Sequence, residues 1–75
     1  MKNQKIKEYL DIVGEQIAFK EARYGVQKEL LSHIDEHVEV ATSYGVNEAA
    51  AVAESLRRMG NANELGLSLN QVHKN

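Results

Sequence analysis

A chain of 75 residues with 43% hydrophobic and 27% charged side chains has the balance of a folding domain, yet it is too short to hold both a deep core and a wide cleft. Nine basic against eleven acidic residues leave a net charge of −2, which argues against a nucleic-acid partner, and the absence of cysteine excludes a disulfide framework, thiolate zinc sites and thiol nucleophiles. No apolar run reaches the roughly 18 to 20 residues that span a bilayer, and the Lys-rich start from Met1 to Tyr9 lacks the apolar stretch and cleavage site of a signal peptide.

Proline is absent, so the ends of elements must be read from glycines and capping residues. Ile6, Leu10, Val13 and Ile17 recur at spacings of four, three and four with Tyr9 beside them, which predicts a helix over about 4–17. Phe19 falls near a short connection. A longer helix follows over about 22–44, with Val26, Leu30, Ile34, Ala41 and Tyr44 on one face and Lys28, Asp35, Glu39 and Thr42 opposite. Gly45 stands where a left-handed residue ends a helix, and Val46 is placed to fold back onto that end.

Asn47 offers an N-cap oxygen and Glu48 suits the first turn of a third helix over about 48–59, whose inner stripe is predicted to be Ala49, Val52, Ala53, Leu56 and Met59. Gly60 repeats the stop. Asn61 with Glu64 resembles a capping box, which opens a fourth helix over about 62–73. Leu65, Leu69 and Val72 are expected to face inward and Leu67 outward. No repeat or linker composition interrupts this pattern, so the fold class expected is all-α, a compact bundle of three to four helices in one domain over 1–75.

His33-Ile34-Asp35-Glu36-His37 satisfies the H-x-x-E-H pattern of inverted zinc peptidases, in which two histidines one helical turn apart share a metal and a glutamate acts as base. That chemistry also needs a third ligand and a substrate cleft, so His33 and His37 are metal candidates only on a short pattern. The ordinary reading places His37 on the inner face and His33 at its edge, both packing at the core margin. A partly buried histidine is also a candidate pH switch. Glu29, Asp35, Glu36 and Glu39 read as a solvated polar face. Arg57 and Arg58 diverge by about 100° around their helix, a poor anion clamp, and are expected to pair with carboxylates. Gly60 and Gly66 lack the preceding strand, lysine and hydroxyl of a phosphate loop, and Ser32 and Ser43 lack a nucleophile elbow or a recognisable acid partner. No catalytic residue and no cofactor are expected.

Three stretches carry a family resemblance: Glu29-Leu30 with His33-Ile34, then Tyr44-Gly45-Val46-Asn47-Glu48 with Ala50, then Met59-Gly60-Asn61 with Glu64-Leu65-Gly66. They resemble the E-L-x-x-H-I, G-[LV]-[ST]-x-x-x-A and M-G-[DN]-x-x-E-L-G signatures of bacterial HAAS-type helical domains. Within that group the chain is most similar to the permease prefix domain, found ahead of transmembrane regions in membrane proteins that include cell-division and rod-shape glycan polymerases of the SEDS family. Leu69-Asn70-Gln71-Val72-His73-Lys74 resembles the end of that prefix. Asn47 replaces the usual Ser or Thr, and Asn61-Ala62 replaces the commoner Asp-Pro, which removes proline's preset backbone angle from the first turn.

The resemblance implies the soluble N-terminal prefix of a longer membrane protein, a non-catalytic module at the cytoplasmic face of the membrane that regulates or positions that protein by contact. Its partner would be the membrane-embedded part of its own chain, a membrane-associated protein or a second copy. A free-standing or self-associating regulator is the competing class. Leu67 is the candidate contact residue, set against the ordinary reading of a lone exposed leucine.

Overall fold

Three of the four helices begin where an asparagine side chain replaces a missing backbone partner; the second, which starts after Phe19, has no such cap. The computed structural model describes residues 3–73, so Met1, Lys2, Lys74 and Asn75 of the expected 1–75 domain lie outside the described residues. The first helix, α1, spans Gln4–Glu15; Asn3 caps it by accepting the Ile6 N–H at 3.1 Å, and a Lys7 to Asp11 ion pair of 2.9 Å braces its outer side. It ends two residues earlier than the spacing predicts. Ile17 leaves the helix yet is only 1% exposed, because it joins the core cluster. Two nitrogens of Arg23 donate to the Ile17 carbonyl at 3.1 and 3.3 Å, giving that turned-in residue a backbone partner.

The second helix, α2, spans Lys20–Ser43; its 24 residues make it twice as long as any other. The third and fourth, α3 and α4, span Glu48–Met59 and Ala62–His73, the bounds the sequence predicts. Asn47 Oδ1 accepts from the N–H groups of Ala49 and Ala50, and Asn61 Oδ1 accepts from that of Glu64. Four helices and no strand make up the described residues.

α1 packs against α2, α3 and α4, while α3 rests mainly on α2. Tyr9 reaches Gly60, Val13 lies against Gly66, and the Ala18 N–H meets Asn70, so α4 runs in the same direction as α1. The core is Ile6, Tyr9, Leu10, Val13 and Ile17 from the N-terminal segment, closed by Ile34 of α2 and Val52 of α3. The outline is elongated, 44 × 19 × 18 Å, which leaves the ends of α2 and α4 short of neighbours.

Three predicted faces are corrected, two of them for that reason. Tyr44 is 87% exposed because it caps α2 beyond its packing partners, while Leu31 and Val38, outside the predicted stripe, pack on the core from the other flank. Val72 is 74% exposed, since the last turn of α4 runs past the end of α1. In α3 the buried positions are Ala51, Val52 and Ser55, with Ala49 and Ala53 exposed. That helix sits in the angle between α1 and α2, where small side chains let backbones approach closely.

The two stops differ in kind. Gly45 has φ 93° and closes a Schellman motif, with its N–H donating to Thr42 O at 3.0 Å and the Val46 N–H to Ala41 O at 3.1 Å; Val46 itself stays 43% exposed. Gly60 is not a second copy of it. At φ 88° and ψ −167° it occupies a region essentially closed to residues with a Cβ, and its carbonyl accepts the Tyr9 hydroxyl at 2.9 Å. Gly60→Ala should therefore cost about 1–3 kcal/mol, and Gly45→Ala, where nothing lies within 4 Å of an added Cβ, about 1 kcal/mol. Chemical denaturation measures both, and an alanine that stabilises at either position would overturn that stop.

Candidate functional site

Helical spacing puts the two histidines of the H-x-x-E-H pattern one turn apart on α2, and both line a notch of about 180 Å³ against Ser55, Arg58 and Met59 of α3. His33 is turned toward water: its side chain is 64% exposed, and its Nε2 lies 3.3 Å from Glu29 Oε2, one turn earlier. His37 is half-buried, and its Nδ1 is enclosed without a hydrogen-bond partner. The expectation that both pack at the core margin holds for His37 and is corrected for His33, whose exposure follows from its place at the edge of the stripe.

Glu36, the third specified residue of the pattern, lines a different cavity, on the far flank of α2. The motif therefore does not assemble as one constellation. Arg58 also lines the notch, a cationic side chain beside the place where a metal ion would have to bind. Among the described residues no group of three or more His, Cys, Asp or Glu side chains is placed to hold a metal ion.

Arg57 and Arg58, although they diverge around α3, converge on one acceptor. Glu54 receives Arg57 at 2.6 Å and Arg58 at 3.1 Å on Oε2, with a further bond from Arg57 to Oε1 at 3.0 Å. Hydrogen bonds from Arg57 and then Arg58 hold the Glu54 carboxyl down to about 2. Both arginines stand in the last turn of α3, where positive charge offsets the helix dipole. Burial pushes the Tyr9 hydroxyl up, which suits its role as a proton donor to Gly60 rather than an anion.

Two grooves remain. A shallow apolar one of about 360 Å³ runs between α2 and α4 over Ala22, Val26, Leu30 and Leu69, because those two helices barely touch. A wider one of about 820 Å³ lies between the start of α1, the middle of α2 and the start of α3. Ile6, Leu31, Val38 and Val52 form its floor, and Asp35, Glu36, Glu39 and Glu48 stand around it. Reading the acidic residues as a plain solvated face misses this groove. The signal for it was Leu31 and Val38, two apolar positions seven apart beside those carboxylates.

Leu67 lies where the sequence places it, 54% exposed on α4, while the adjacent Gly66 is buried against α1. No helix of the described residues is long and apolar enough to cross a membrane. No protein-family model matches the chain, and comparison with curated proteins and with solved structures finds no match either.

Proposed function

We propose that the chain is a non-catalytic helical module that acts by protein contact, carried at the cytoplasmic face of an integral membrane protein of the permease-prefix kind and regulating or positioning that protein. The observation that carries this reading is the outer side of α4, where Leu67 stands exposed on a helix whose other side is packed on α1. The resemblance adds support of a limited kind, because its signature residues serve as core, stop and cap: Ile34, Gly45, Gly60 and Asn61. A fold signature informs role only by analogy.

Leu67→Asp tests the contact. Folding should change by less than about 0.5 kcal/mol, whereas Leu69→Asp, which puts a charge on the core side of α4, should cost roughly 1–3 kcal/mol. With folding intact, Leu67→Asp should abolish self-association in sedimentation or regulation of the full-length membrane protein. A variant that unfolds like Leu69→Asp would show that Leu67 serves the core instead. An encoding gene whose reading frame stops at Asn75 would refute the membrane attachment and favour a free-standing regulator.

A further inference from the structure

We infer that the groove between α1, α2 and α3 is a docking surface for a Lys/Arg-rich amphipathic segment of a partner protein, an inference that rests on the reading of the chain as a contact module. The floor is unfinished core. Leu31 and Val38 lie two turns apart on one line of α2 and stay half-covered, although Ile6 and Val52 beside them are only 5% and 2% exposed. An apolar side chain laid along that line would complete their burial.

The rim sets the charge of the occupant. Asp35, Glu36, Glu39 and Glu48 are exposed and have no ion-pair partner among the described residues, whereas Asp11 pairs with Lys7 and Glu54 with Arg57 and Arg58. No Lys or Arg of the described residues lines the groove. The starts of α1 and α3 both open onto it through Asn3 and Glu48, and each helix end supplies about half a positive charge. Four full negative charges outweigh two halves, so the groove stays anionic.

An apolar floor inside a rim of one sign is complementary to a helix with an apolar stripe flanked by cations, the helix-in-groove mode of recognition. The field also steers such a partner in and turns acidic ones away. A second copy suits it less, since two-fold pairing lays this rim against itself. A metal ion suits it less, because the carboxylates do not gather into a ligand set.

The test titrates isotope-labelled protein with a synthetic amphipathic helix of about 18 residues made of leucine and lysine, and with its counterpart carrying glutamate for lysine. Expected are amide shifts centred on Ile6, Leu31, Val38 and Val52, binding that weakens with salt, and no binding of the acidic counterpart. Replacing rim carboxylates together, Asp35→Asn, Glu36→Gln and Glu39→Gln, should leave the bundle folded and weaken binding by roughly tenfold or more. Unchanged affinity in that variant, equal binding of the acidic peptide, or the same shifts on concentrating the protein alone or adding calcium alone would overturn the proposal. Shifts centred on Leu67 would overturn the groove and leave the contact-module reading standing.

Discussion

Ile34→Ala is expected to destabilise the bundle by about 2–5 kcal/mol, the range for emptying a closed core site. Ile34 is 0% exposed and is the one fully buried residue of α2, set among side chains of α1 and α3. A chain of this length has roughly 4–11 kcal/mol of stability in all, so the variant sits near the threshold of unfolding. Leu30→Ala supplies the comparison. Leu30 faces the shallow groove between α2 and α4 and is only half-buried, so its loss should be about 1–2.5 kcal/mol. Urea midpoints for both variants measure the difference, and equal losses would mean that α4 covers α2 more fully than its placement here.

The second large effect is expected at Gly66. Alanine there should gain about 1 kcal/mol of helix propensity, yet its Cβ would stand 2.6 Å from the Val13 carbonyl oxygen and 2.7 to 2.8 Å from the Gln16 side chain. The carbonyl belongs to the backbone of α1 and cannot swing aside, so α4 must lift, and overpacking of this kind costs about 1–3 kcal/mol. The clash outweighs the propensity. Gly25 is the control: it too lies in a helix, but nothing stands within 4 Å of an added Cβ, so Gly25→Ala should stabilise by about 1 kcal/mol. A stabilising Gly66→Ala would place α4 further from α1 than the contact requires.

Local signals were legible in the sequence because they are settled by neighbours in the chain. Asn47, Asn61 and Gly45 act within a turn of themselves, and the helices they delimit begin and end where spacing predicts, to within a residue or two. Faces were harder. Periodicity gives one direction per helix, but α2 touches α1 along one flank and α3 along another, so Leu31 and Val38 are covered outside the predicted stripe. Tyr44 and Val72 match the inner stripe by angle and are exposed by position, since an angle does not report where a neighbour stops.

The candidate site shows the same division. The spacing of His33 and His37 on one side of α2 was readable; that Glu36 lines another cavity and Arg58 lines theirs depends on how α3 packs back on α2, which no pentapeptide encodes. Gly60 reads as a stop from sequence, but its unusual ψ reflects the Tyr9 hydroxyl fastened to its carbonyl from the opposite end of the chain.

That α4 lies along α1 has a consequence for how the molecule is made. On the ribosome α1 emerges first and can coil within microseconds, while translation at about 5–20 residues per second needs roughly 3 to 12 s more to deliver α4. Throughout that interval the side of Val13 and Gln16 that α4 will cover is bare, and α2 and α3 can shield only the rest of α1. The nascent chain therefore passes through a state with its oldest helix half-dressed, and its exposure to chaperones and proteases is set by the speed of synthesis rather than by the speed of folding.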